Sequence, residues 1–153
     1  MAAITARHDT YDFIDPAKYA GKLKGKVVLV TGSSRGIGRL IALAFAAAGA
    51  SVGCLARTGS EIEQLAAKIK KDYSVPAAAI TGDVLGDPSE IVAKVEAALG
   101  PIDILVNNAG ISRFSTIEHE EDLETWWKVL EVNVKAPMNL IHAVVPSMIK
   151  RGM

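Results

Sequence analysis

Cysteine is nearly missing from this 153-residue sequence: Cys54 stands alone, which excludes an intrachain disulfide and any cysteine-built metal cluster. A lone thiol suits a reducing compartment, so a cytoplasmic location and no metal site are expected. An excess of either charge is missing too. Seventeen Lys and Arg offset seventeen Asp and Glu, leaving no basic field to gather nucleic acid or an anionic membrane, and neither is expected as a partner. No apolar run comfortably matches a membrane span. The longest uncharged stretch, Leu40 to Ala56, is broken by Gly49, Ser51 and Gly53 and reads better as a buried helix followed by a buried strand. The amino terminus has no signal-peptide core, and Asp9, Asp12 and Asp15 argue against an acid-poor transit peptide, so no address elsewhere is expected.

What is present is 50% hydrophobic and 22% charged, the balance of one folded domain burying roughly 70% of its unfolded surface. Residues 1–24 lack sustained periodicity and read as an arm to which no chemistry is assigned. From 25 to 153, short β-branched runs alternate with helical stretches, the order that yields a parallel sheet covered by helices. Strands are predicted at Val27 to Val30, Val52 to Ala56, Ala77 to Thr81 and Ile102 to Val106. Helix one carries Ile37, Leu40, Ile41, Ala44, Phe45 and Ala48 at helical spacing, with Gly49 as its stop. Ser60 and Glu63 form a capping-box pattern ahead of helix two, whose inner face is Ile62, Leu65, Ala66 and Ile69. Asp87, Pro88 and Glu90 open helix three, and a last helical stretch runs from about Glu120 to Lys150.

The string Thr31-Gly32-Ser33-Ser34-Arg35-Gly36-Ile37-Gly38 lies between a strand and a helix, where glycines let backbone amides approach a pyrophosphate and the helix N-terminus adds partial positive charge. Its spacing is G-x-x-x-G-x-G rather than the commoner G-x-G-x-x-G. With Asn107-Asn108-Ala109-Gly110 after the fourth strand, it resembles the short-chain dehydrogenase/reductase family over about residues 25 to 150. The resemblance implies a Rossmann-type doubly wound α/β fold, here incomplete, with four strands in the order 3-2-1-4. It implies a dinucleotide held by Gly32, Ser34, Arg35, Gly36, Ile37 and Gly38, by Asp83 and Val84 at the adenine, and by Ala109 and Gly110 near the ribose. Asn107 is expected to tie neighbouring strands beside the cofactor.

An acid about 20 residues beyond the glycines would select NAD; none is there. Ala56 and Arg57 stand in its place, and Arg57 with Arg35 gives two guanidiniums suited to a 2′-phosphate, so NADP is expected over NAD. The resemblance also implies hydride transfer between NADP(H) and a carbonyl or alcohol. The family's proton donor, Tyr-x-x-x-Lys, is nowhere in the sequence: Tyr11, Tyr19 and Tyr73 are followed four places on by Asp15, Leu23 and Ala77. Only Asn133, in Glu131-Val132-Asn133-Val134, matches a catalytic position. Pro137 deprives its carbonyl of a helical partner. His142 reads as half-buried packing and His119 as solvated.

Two readings stay open. One is a truncated piece of an NADP-dependent oxidoreductase that is inactive by itself. The other is a non-catalytic dinucleotide-binding or interaction module that associates with a full-length relative. Either leaves a fourth strand with an open edge and an apolar last helix, including Trp126 and Trp127, so self-association is expected.

Overall fold

The computed structural model describes residues 16–114, 116–119 and 123–153. Most of the N-terminal arm, and the expected helix start at Glu120, lie outside the described residues. Four parallel strands form one sheet: β1 (Val27–Thr31), β2 (Ser51–Ala56), β3 (Ala77–Thr81) and β4 (Ile104–Val106), in the order β3-β2-β1-β4. Central β1 pairs Val28 with Val52 on one side and with Ile104 on the other. This is the doubly wound arrangement, and it brings the ends of β1, β2 and β4 to one rim.

Alternation along β1 sorts the core. Val28 and Val30 face α1 (Gly36–Ala47) and α2 (Gly59–Tyr73), where Ala42, Ala46, Ile62, Leu65 and Ile69 are buried. Val27 and Leu29 face α3 (Pro88–Leu99) and α5 (Ala136–Lys150), against Ile91, Val95, Leu140 and Val144. A strand covered on both faces is apolar throughout, which is why Val27 to Val30 reads as a continuous run. Each large side chain removed from water here contributes about 1.5–3 kcal/mol.

Four local expectations are corrected. On α1 the buried stripe is Gly38, Ala42 and Ala46, while Ile37 is 72% exposed and Leu40 66%. Small residues win that face because the helix lies close to the sheet, and a Cβ at Gly38 would overlap the Gly32 carbonyl and the Asn108 amide. The capping box at Ser60 and Glu63 does not form. Only Arg57 and Thr58 separate β2 from α2, so the helix starts at Gly59 with Thr58 as an extended N-cap, and Ser60 is already inside the first turn. β4 begins at Ile104 rather than Ile102, because Asp103 is occupied in closing the sheet's lower end. His142 is exposed rather than half-buried.

Helix α3 opens as its sequence dictates, with Asp87 Oδ1 accepting the Ser89 N–H at 2.8 Å and Pro88 in the first turn. The last helical stretch is interrupted. Between α4 (Leu123–Leu130) and α5 lies a π-turn, Glu131–Lys135, in which the Ala136 N–H reaches five residues back to the Glu131 carbonyl. Pro137 has no N–H, and its ring crowds the carbonyl four residues before it, that of Asn133, so the backbone widens there. Leu123, Trp127, Val134, Met138 and Ile141 remain exposed along this stretch.

At the lower end of the sheet, Asp103 Oδ2 accepts the Val27 N–H at 2.9 Å and Oδ1 accepts from Arg151 Nη1 at 2.8 Å, with Lys26 Nζ at 3.6 Å. Arg151 also donates to the Ile102 carbonyl, pinning the end of α5 to the start of β4. Burial pushes the Asp103 carboxyl up, but the Val27 amide, Arg151 and Lys26 together outweigh it and hold it below the usual carboxylate value.

Candidate functional site

The upper rim is built around the glycine turn. Thr31, buried at the end of β1, accepts the N–H groups of Asn108 and Ala109 at 3.0 and 2.9 Å on its Oγ1 and donates to the Val106 carbonyl at 3.3 Å. Asn108 returns the tie, its Nδ2 donating to the carbonyls of Thr31 at 3.0 Å and Gly32 at 3.2 Å. The strand-tying role expected of Asn107 therefore falls to Asn108. Consecutive side chains leaving a strand face opposite ways, so the residue one further along turns back to the glycine turn while Asn107 is exposed.

Gly32 sits at φ +65° with Ala109 packed over it, and a Cβ would meet the Ala109 Cα at 2.8 Å. Ser33 is wholly buried, and both its N–H, at 3.2 Å, and its Oγ, at 3.4 Å, donate to the Leu55 carbonyl of β2. Beneath it, burial pushes the Cys54 thiol up to about 11, a rise that the Ser33 hydrogen bond and nearby Arg39 only partly offset. That thiol is packing, not a nucleophile. At the head of α1, Arg35 is an extended N-cap with no side chain capping the helix and no acid in the first turn. The exposed amides and the helix dipole there suit an anion.

A cleft of about 630 Å³ opens above this rim. Gly32, Ser34, Arg35 and Gly36 supply one part of its wall, Arg57 the end of β2, Asp83 and Val84 the loop after β3, and Ala109 and Gly110 the loop after β4. Gly38 lies buried beneath the turn, while Ile37 is exposed on α1 outside the lining. Neither Arg35 nor Arg57 is engaged by a carboxylate among the described residues. Asp83 is a turn residue in its own right, since its Oδ1 accepts the Leu85 N–H at 3.0 Å. Sequence reasoning missed Thr58, Glu61, Leu85, Ile111, Lys128 and Val132 in the lining; of these, only the four-residue spacing of Lys128 and Val132 is a sequence signal.

Asn133 and Asn107 line a second, more open cavity of about 650 Å³ that shares Arg35, Ala109, Gly110 and Ile111 with the first. The Asn133 side chain engages a single residue through both its oxygen and its nitrogen. Its Oδ1 accepts the Ile111 N–H at 3.0 Å and its Nδ2 donates to the Ile111 carbonyl at 2.8 Å, so the π-turn clasps the loop after β4. His119 is exposed, with Nδ1 2.6 Å from the Thr116 hydroxyl, and His142 is exposed on α5; neither lines either cavity.

A family model described as short chain dehydrogenase matches residues 26–153. A short chain dehydrogenase of Pseudocercospora fijiensis is 46% identical over 153 residues, spanning 98% of this chain and 49% of its own length. One of Aspergillus terreus is 40% identical over 148 residues, 94% of this chain and 32% of its own. Among solved structures, L-sorbose reductase from Gluconobacter frateurii, complexed with NADPH and L-sorbose, is similar with a TM-score of 0.78 at 36% identity, covering 85% of this chain and 50% of that one. A metagenomic short-chain oxidoreductase in complex with NADP gives 0.78 at 34% identity, covering 84% and 59%. The chain spans about half the length of the curated relatives it matches, or less.

Proposed function

Because the chain belongs to the short-chain dehydrogenase family, we propose that it is the nucleotide-binding portion of an NADP(H)-dependent oxidoreductase acting on a carbonyl or alcohol. The observation that carries the choice of NADP is the pair Arg35 and Arg57 on one cleft, neither ion-paired with a carboxylate among the described residues. A guanidinium offers a planar fork that fits a phosphate, and two at the adenosine end favour a 2′-phosphate over a bare 2′-hydroxyl. Relatives solved with NADPH or NADP support the same reading.

The residues fit the dinucleotide. Uncapped amides at the head of α1 receive the diphosphate, the Cβ-free surface of the glycine turn admits it closely, and Asp83 accepts from the adenine amine. Ala109 and Gly110 leave room for a ribose. When bound, the nicotinamide supplies the hydride. Asn133 holds the loop after β4 through Ile111, which fixes that wall of the second cavity. No Tyr-x-x-x-Lys lies within these 153 residues, so by themselves they bind the cofactor and turn over no substrate by tyrosine-based proton transfer.

The test is a calorimetric titration of NADPH and NADH. Arg57→Asp weakens NADPH at least tenfold and leaves NADH within about twofold, in keeping with the strength of charge-assisted bonds to phosphate. Equal losses for both cofactors refute the assignment of Arg57. We also read the exposed apolar side chains of α4 and α5, or the open edge of β4, as surfaces for self-association. The buried free thiol of Cys54 supports a cytoplasmic location.

A further inference from the structure

We propose that Lys128 contacts the base of the bound nucleotide, donating to a ring nitrogen of adenine while Asp83 accepts from the amine beside it. The proposal deepens the reading above and rests on it. Val132, Ala136, Leu140 and Val144, four apart, are the buried residues by which the π-turn and α5 lie against the body of the protein. Lys128 is the next position along that spacing, one turn toward the N-terminus, where an apolar residue would continue the stripe. A cation stands there instead, at the point where the helix reaches the cleft, and it lines the wall together with Val132.

The chemistry around it is that of a purine site. Val84 and Val132 supply apolar surface for a flat ring, and Asp83 supplies an acceptor whose orientation is fixed by the Leu85 amide. Lys128 supplies only donors. Adenine presents an amine donor flanked by ring-nitrogen acceptors, the complement of a carboxylate beside an ammonium. The Lys128 Nζ lies 3.4 Å from Glu131 Oε2 on the same helical stretch, an exposed pair that does not use all the N–H groups of the ammonium. The groups suited to phosphate, the turn amides and the two arginines, come from other elements of the fold.

The experiment compares NADPH with its hypoxanthine analogue, in which a carbonyl replaces the amine and N1 carries a proton, so donor and acceptor are exchanged. Affinities are read by titration on the full 153-residue chain, for the wild type, Lys128→Met and Lys128→Arg. The wild type prefers adenine, Lys128→Met weakens NADPH at least tenfold, as loss of one hydrogen bond from a charged donor does, and it narrows the preference for adenine at least threefold. Lys128→Arg retains most of both. Equal weakening of the two cofactors, an unchanged affinity, or a widened preference overturns the proposal while leaving NADPH binding intact. A wild-type chain that binds neither cofactor overturns the nucleotide reading itself. Because Lys128 is exposed, its substitution leaves the melting temperature within a degree or two, which keeps folding out of the comparison.

Discussion

The two ends of the sheet treat charge in opposite ways. At the lower end Lys26 and Arg151 both converge on the single carboxylate of Asp103, which also caps the first amide of β1. At the upper rim Arg35 and Arg57 face a cleft with no carboxylate of the described residues within ion-pair distance of either, and the helix behind them begins without a side-chain cap. The same strands, β1 and β4, run between the two. Folding alone is served by the lower arrangement, where each charge meets its opposite. Cations and helix-end amides left without a protein partner at the rim are what the proposed nucleotide would meet.

The contrast breaks most visibly at Gly38. Replacing it with Ala puts a methyl group into the Gly32 carbonyl and the Asn108 amide, so Gly38→Ala loses about 3 kcal/mol of stability, read by urea unfolding, and abolishes NADPH binding. Binding that survived with native stability would mean the turn has slack the packing denies. Asp103→Asn sharpens the comparison from the other end. It strips Lys26 and Arg151 of their counter-ion and costs about 2 kcal/mol, with NADPH affinity unchanged because the substitution is at the far end of the strands.

The same residue sets an acid limit. Its carboxyl is held lower in the folded chain than in the unfolded one, so the stabilisation is complete above the unfolded value of about 3.9 and drains away as the pH falls from there through the folded value. Asp103→Asn removes that part of the acid dependence, and wild type and variant converge in stability at low pH. The smallest expected effect is at Cys54. With its thiol pushed up to about 11 and fully buried, only about one molecule in a thousand carries a thiolate at pH 8. Iodoacetamide therefore labels the native chain far more slowly than the urea-unfolded one, and equal rates would show that the floor of the rim is open.

Much of this was legible from the residues. The apolar run Val27 to Val30, the glycine string after it and the alternation of strand and helix carry the parallel sheet, because a strand buried on both faces leaves no other pattern. Pro137 signalled the break in the last helix. On α1 the spacing found part of the inner face, since Ile41, Phe45 and Ala48 pack inward, but the bulky Ile37 and Leu40 face outward while Gly38, Ala42 and Ala46 let the helix come close. Asn107 and Asn108 could not be told apart, since which of two adjacent residues turns inward depends on where β4 ends. Lys128 was signalled only by its four-residue spacing from Val132, and its place at the cleft emerged once the helix carrying it was set against the rim.

The clasp between Asn133 and Ile111 has a mechanical consequence. A single planar amide engages both the N–H and the C=O of one residue, as a neighbouring strand does, but it is carried on a helix. The loop cannot slip by one position along that seam without forfeiting both bonds together, so its alignment moves in whole steps or stays put. Widening of the helix at the π-turn and the path of the chain beyond Gly110 are thereby locked to each other, like two wheels sharing an axle.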